Sequence, residues 1–389
     1  MATKRENIYR VLSVSLSIFV GLLIAEVGLR TMKRLIRVSG WRTGTQASEM
    51  EKNQLDYRGQ NIEYTDSDFV IILLGDSQVQ ATACAYEWMP ERRLQYYLNS
   101  RGKKVKVFSI GANGYGQDQQ LLALREYYQK FRADLIILWE TPTNDVANNL
   151  FPTHFHVEGM ADGYPKPTFW LEDGNLRGPS EEIGQPLRET PRIKLIALWR
   201  KAFGWSRDSE WGKTYPPAYK PMTEFEGPVK EDWQQWWNND EKGFRGENLS
   251  NEKAHVPICL TPRSERMRYG LDLTRKLLQE IERLASLHDG KLVTFTTTPD
   301  VGSFLGCFTD PVVRVLNGKY YRTSERQYND NLNYINEEVD FYLIPITIEQ
   351  YRVGPEDGHL NEHAVDQVMK DLAARIETLI RAGPTDEKR

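Results

Sequence analysis

The run Phe69-Val-Ile-Ile-Leu-Leu, which ends abruptly in Gly75-Asp76-Ser77-Gln78, constrains the fold more than any other stretch of the chain. β-Prone residues in a row, without alternation, read as a strand buried on both faces, the habit of a parallel sheet. Glycine then permits a tight turn. An acid and a hydroxyl follow at the strand's C-terminal end, where open α/β sheets place their ligands. The same residues also fit a plain strand-to-helix turn in which Asp76 or Ser77 caps the next helix.

The pattern repeats downstream. A helical stripe from Trp88 to Leu98 closes in Arg101-Gly-Lys-Lys, and Val105 to Ile110 reads as a second strand followed by Gly111-Ala-Asn-Gly-Tyr-Gly116. Gln117 to Phe131 reads as an amphipathic helix. Ala133 to Trp139 reads as a third strand, ending in Glu140-Thr-Pro-Thr-Asn-Asp145. A helix over Leu271–Leu287, a strand over Lys291–Thr297, a helix near Tyr328–Ile335 and a strand over Asp340–Ile346 continue the alternation. A final helix runs from about Glu362 to Ile380. Alternating strands and helices predict an α/β domain with a parallel sheet, spanning residues 67–382, with a short tail at 383–389. Between about 151 and 269 the pattern gives way to a polar stretch rich in Gly, Pro and Trp, including Trp211, Trp233, Trp236 and Trp237, too long for a plain loop and read as an inserted lid or subdomain.

Ahead of the domain, residues 1–37 read as a tail and membrane anchor and 38–66 as a stalk. The segment from Val11 to Leu29 is largely apolar and close to the ~20 residues that span a bilayer as a helix. Glu26 and Arg30 stand four residues apart, a spacing that lets them meet on one helix face at the interface. Basic residues flank both ends, Lys4, Arg5 and Arg10 on one side and Arg30, Lys33, Arg34 and Arg37 on the other, so charge counting leaves the orientation open. A short tail ahead of a first apolar segment behaves as a signal anchor, which places the domain outside the cytoplasm, periplasmic or at the cell surface. The first expected partner is therefore a membrane. A net charge of -4 offers no clustered basic face for nucleic acid. Cys84, Cys259 and Cys307 are too few and too scattered for a disulfide framework or a Cys-x-x-Cys metal site.

In a parallel sheet the strand ends lie along one edge, so Ser77, Gly111 and Asn144 converge there, joined by Asp357 and His359 from the loop after the last strand. That set matches the needs of acyl transfer. A serine hydroxyl needs an imidazole to take its proton, and the imidazole needs a carboxylate to fix its tautomer. The oxyanion needs donors, which the backbone N–H groups of Ser77 and Gly111 and the side-chain amide of Asn144 offer.

Gly75-Asp76-Ser77, Gly111, Asn144-Asp145 and Asp357-Gly358-His359 resemble, in that order, the four blocks of the SGNH (GDSL-like) hydrolase superfamily, over roughly residues 68–150 and 270–382. The resemblance implies a three-layer α/β/α, flavodoxin-like parallel sheet, here following an N-terminal transmembrane helix. It also implies Ser77 as nucleophile, His359 as general base, Asp357 as the orienting acid, and Ser77, Gly111 and Asn144 as the oxyanion hole, with no cofactor and no metal. Three departures stand out. Pro142-Thr-Asn-Asp145 replaces the usual Gly-x-Asn-Asp, the acid lies two residues before the histidine with Glu356 as the fallback at the third, and Gln78 follows the serine in place of a bulkier residue.

The expected function is a serine-dependent hydrolase of acyl or acetyl esters, its second expected partner being an ester-bearing small molecule or glycan, with cell-surface glycans in view. An O-acyltransferase acting on an extracellular polysaccharide would use the same residues, and a non-catalytic, membrane-tethered glycan-binding or assembly protein would leave the triad idle. Two other motifs point elsewhere. His359-Leu-Asn-Glu-His363 has the spelling of a zinc peptidase motif, but that motif needs both histidines in one helix. His154-Phe-His156 puts two rings on one strand face with no third ligand, and Gly111 to Gly116 lacks the Gly-x-Gly-x-x-Gly spacing of a nucleotide loop.

Overall fold

The computed structural model describes residues 4–39, 51–150, 153–154, 164–165, 167–179, 257–261, 263, 265–298, 313–316, 319–354 and 357–380. Its centre is a five-stranded sheet of β1 (Phe69–Gly75), β2 (Val105–Gly111), β3 (Leu135–Trp139), β4 (Lys291–Thr298) and β5 (Asp340–Pro345). Every pairing is parallel and the spatial order is β2-β1-β3-β4-β5. This is the flavodoxin-like order, whose direction reverses between β1 and β3 and opens a crevice at the carboxyl ends of those two strands.

The unbroken apolar run of β1 is explained by its central place. Val70, Ile72 and Leu74 join one core with Phe108, Leu121, Leu124, Leu277 and Ile281, and Ile71 and Leu73 join the opposite core with Leu94, Leu98, Val368 and Leu372. The first core is covered by α4 (Gln117–Tyr128), α6 (Glu265–Leu287) and α7 (Glu325–Ile335), and the second by α3 (Pro90–Ser100) and α8 (Glu362–Ile376). The result is the expected three-layer α/β/α arrangement. Each fully buried Leu or Ile contributes ~1.5–3 kcal/mol, so losing either layer would be costly.

Several boundaries differ from expectation for local reasons. Helix α6 begins at Glu265 rather than at Leu271 and runs through Gly270. A Cβ at Gly270 would come within 2.8 Å of Val146 Cγ1, so this glycine permits close approach of α5 (Pro142–Leu150) within a continuous helix. The loop expected to carry His359 is a short antiparallel hairpin of β6 (Arg352–Gly354) and β7 (Asp357–Leu360). Of the expected insertion, most lies outside the described residues, including Trp211, Trp233, Trp236 and Trp237. The hairpin of Trp170–Glu172 and Asn175–Arg177 is described, with Phe169 and Leu171 buried in the first core.

Residues 51–66 do not form the expected stalk. Leu55 and Ile62 are buried in the first core, Asn53 Nδ2 donates to the Ser109 carbonyl at 2.9 Å, and Gln60 N donates to Glu91 at 2.7 Å. Their polar composition hides this packing because side chains and backbone satisfy one another inside the domain.

The membrane-crossing part of the anchor expectation is not supported. Residues 11–29 lie within one 36-residue helix, α1 (Lys4–Ser39), with Leu16, Phe19, Leu23 and Ile24 exposed. Yet among the described residues no helix is long and apolar enough to cross a membrane.

Candidate functional site

β1 ends where the sheet order reverses, and the chain turns there into α2 (Ser77–Gln80). Gly75 pairs with Gly111 at the end of β2. A Cβ on Gly75 would sit 2.5 Å from Val79 Cγ2, and one on Gly111 would sit 2.7 Å from both Val79 Cβ and Val79 Cγ1. The two glycines thus let α2 drop between the strand ends, and Gly111 lies against the turn that carries Ser77.

Asp76 is fully buried and caps α2, with Oδ1 accepting from Gln78 N at 2.9 Å and Oδ2 accepting from Asn144 Nδ2 at 3.1 Å. It braces the turn and ties it to the first turn of α5. Burial raises its pKa, against the opposing pull of the Gln78 N–H, the Asn144 amide and the His359 charge. Asp145, also fully buried in α5, accepts from Thr141 N and from Gln117 Nε2, each at 2.8 Å. Burial first, then the charges of Asp76 and Glu140, push its pKa well up. Asp145 therefore caps α5 and leaves Asn144 as the residue that reaches the Ser77 turn.

On β7, His359 Nδ1 meets Asp357 Oδ1 at 2.5 Å, and the same oxygen accepts from His359 N at 3.0 Å. A ring nitrogen facing a carboxylate carries the proton, which leaves Nε2 as the basic site of the neutral ring. Burial opposes charge on His359, but the hydrogen bond to Asp357, the charge of Asp357 and that of Asp76 together raise its pKa. The hydrogen bond with His359 holds Asp357 below the ordinary carboxylate value in spite of partial burial. Both side chains keep solvent contact, 39% for His359 and 45% for Asp357.

The hairpin and the start of α8 are joined to the Ser77 turn and the segment after it at three points. Leu360 N donates to Gln78 Oε1 at 3.4 Å, Cys84 Sγ lies 3.8 Å from the Leu360 carbonyl, and Ala85 N donates to Glu362 Oε1 at 2.7 Å. Ser77, Asn144, Gly111, Asp357 and His359 thus belong to one edge of the sheet. The structure brings Asp357 to His359 and Asn144 to Asp76, whereas Ser77 and His359 are not directly hydrogen-bonded among the described residues. Glu356, the alternative acid, lies outside the described residues.

Sequence reasoning missed a supporting shell. Arg58 reaches the carbonyls after α2, Gln80 Oε1 accepts from Asn113 N at 3.0 Å, and Asn149 Nδ2 donates to Gln117 Oε1 at 2.6 Å. None of these carries a motif. Gln78 was visible only as a departure from the family pattern, and its contact with Leu360 is a tertiary fact.

The remaining sequence candidates fall apart or out of view. His359 and His363 lie on different elements, β7 and α8, and the His363 ring packs edge-on to Trp88 at 6.3 Å. His156 and Cys307 are outside the described residues, and Cys84 and Cys259 are buried far apart in opposite cores. Among the described residues no three His, Cys, Asp or Glu side chains gather as a metal site requires.

No family model and no curated protein matches the chain. Solved structures do resemble it. An acetyl xylan esterase from the rumen bacterium Butyrivibrio proteoclasticus is 12% identical, with 82% of this chain and 66% of that one covered at a TM-score of 0.35. The chain thus spans just under two thirds of that protein's length. A putative arylesterase from Agrobacterium tumefaciens is 12% identical, covering 80% of this chain and 100% of that one at 0.34. A carbohydrate acetylesterase from Sinorhizobium meliloti is 10% identical, covering 80% and 100% at 0.32. At these scores the likenesses carry no weight, and the fold rests on its strand order and the site on its own geometry.

Proposed function

We propose that the chain is a serine-dependent ester hydrolase of the SGNH type. Ser77 Oγ attacks the ester carbonyl and passes its proton to His359 Nε2, with Asp357 holding Nδ1–H and steadying the imidazolium. The carbonyl electrons move onto oxygen, where the N–H groups of Ser77 and Gly111 and the amide of Asn144 receive the charge. Collapse expels the alcohol with the proton from His359. Water, deprotonated by the same imidazole, then attacks the acyl-serine and releases the acid.

The observation that carries this reading is the 2.5 Å contact between Asp357 and His359 on a hairpin tied to the Ser77 turn. Its test is turnover of a p-nitrophenyl acyl ester by the full chain and by Ser77→Ala. Hydrolysis that disappears with the serine supports the reading, and hydrolysis that persists in folded Ser77→Ala removes it. The exposed apolar side chains of α1 further support attachment of the protein to a membrane, which pelleting with lipid vesicles before and after removal of residues 1–39 would test. Equal recovery of both forms in the supernatant would exclude it.

A further inference from the structure

The helix that begins at Ser77 has only four residues, Ser77–Gln80. A single turn fixes several dihedrals for about one hydrogen bond and has no stability of its own, so its geometry must be imposed from outside. Its N-terminus is held by Asp76. Its C-terminus ends in Ala81 at a φ of 46°, a left-handed conformation that costs a non-glycine residue energy and persists only where surroundings enforce it.

Arg58 is the group that does so. The residue lies in the segment ahead of β1, is 7% exposed, and turns its guanidinium onto the carbonyls that leave α2. Nη1 donates to the Ala81 carbonyl and, at 3.2 Å, to that of Gln80, while Nη2 donates to the Cys84 carbonyl at 2.8 Å. A guanidinium bonded to several carbonyls at the end of a helical turn makes charge-assisted bonds stronger than neutral ones. The effect passes directly to the serine, because Ala81 N donates back to the Ser77 carbonyl at 2.8 Å. It also passes to the β2–α4 loop through Gln80 and Asn113, and toward the His359 hairpin through Cys84 and Leu360.

We propose that Arg58 is a positioning residue for the Ser77 nucleophile, fixing the single-turn helix and the turn after it in the register that presents Ser77 to His359. The proposal rests on the reading of Ser77 as nucleophile, yet its structural half stands apart from that reading. Lysine in the same place keeps the charge but has one compact ammonium, which cannot reproduce a planar fork bonded to three carbonyls.

The test compares the full chain with Arg58→Lys and Arg58→Ala at a temperature where circular dichroism shows each folded. The rate of reaction with a fluorophosphonate, KM and kcat for a p-nitrophenyl ester, and hydrogen exchange at the Gln80 and Ala81 amides are measured. Arg58→Lys is expected to react ~10- to 100-fold more slowly, with KM nearly unchanged, since a misplacement of ~1 Å carries a loss of that size. Millimolar methylguanidinium is expected to restore Arg58→Ala, and the Gln80 and Ala81 amides are expected to exchange faster in both variants. Phosphonylation of folded Arg58→Lys at the parent rate, or unchanged exchange at Gln80 and Ala81, would overturn the proposal. A parent that does not react would remove the catalytic reading, and amide exchange would still decide whether Arg58 holds the turn.

Discussion

Replacing Asp357 by asparagine separates catalysis from stability. The substitution keeps the shape and removes the anion that His359 Nδ1 meets at 2.5 Å. With 39% and 45% of the two side chains exposed, solvent screening limits the pair to ~0.2–1 kcal/mol of stability. The sign follows from the raised histidine pKa. This stability is fully present below the unfolded imidazole pKa and is lost as pH rises through the higher folded value. The catalytic cost is larger. An asparagine amide can present its own N–H to Nδ1, which favours the tautomer with the proton on Nε2 and leaves Ser77 without a base, a loss of ~10²–10⁴-fold in kcat. The acid limb of the pH profile, held above the ordinary histidine value in the parent, should move to lower pH in the variant as the anion disappears. The assay is the pH dependence of kcat for a p-nitrophenyl ester, beside urea unfolding of both proteins. A kcat within threefold of the parent with an unmoved acid limb would refute the reasoning.

Three further outcomes follow from the same geometry. Gly111→Ala would push a Cβ to 2.7 Å from Val79, an overpacking of ~1–3 kcal/mol that also displaces α2, so urea midpoint and turnover should fall together. Burial raises Glu91 to about 7 in the folded state, against the opposing hydrogen bonds from Gln60 N and Ser109 N. The folded protein therefore holds a proton that the unfolded chain releases, stability should fall by up to ~3 kcal/mol between pH ~4.5 and ~7, and Glu91→Gln should flatten that slope in pH-dependent urea titrations. Asn144→Ala removes the donor to Asp76 and an expected oxyanion donor, and should lower kcat ~10²–10³-fold with KM little changed in steady-state assays.

Strands β1 and β3 were legible because the middle of a parallel sheet is buried on both faces and writes itself as an unbroken apolar run, with Phe69–Leu74 the plainest example, whereas β5 at the sheet edge leaves Leu343 exposed and was read from its place in the alternation. Helix α6 was legible except at its start, where Gly270 and the residues before it continue the helix and Gly270 makes room for Val146 and Leu150. The polar segment 51–66 was misread for a different reason. Asn53 and Arg58 are buried, and Gln60 half-buried, by bonding backbone groups elsewhere in the chain, and such partners leave no period in the sequence. The candidate site divides in the same way. Ser77, Asn144, Asp357 and His359 could be named because strand ends and motif order mark them, whereas Arg58 and Gln78 depend on contacts across 22 and 282 positions.

The central claim is that Ser77 is an activated nucleophile. Treating the full chain with a fluorophosphonate and locating the adduct by peptide mass spectrometry tests it most directly. The account predicts one phosphonyl group on the peptide containing Ser77, absent in Ser77→Ala and formed far more slowly in His359→Ala. A folded protein that takes no label, or one whose label survives Ser77→Ala, would contradict it.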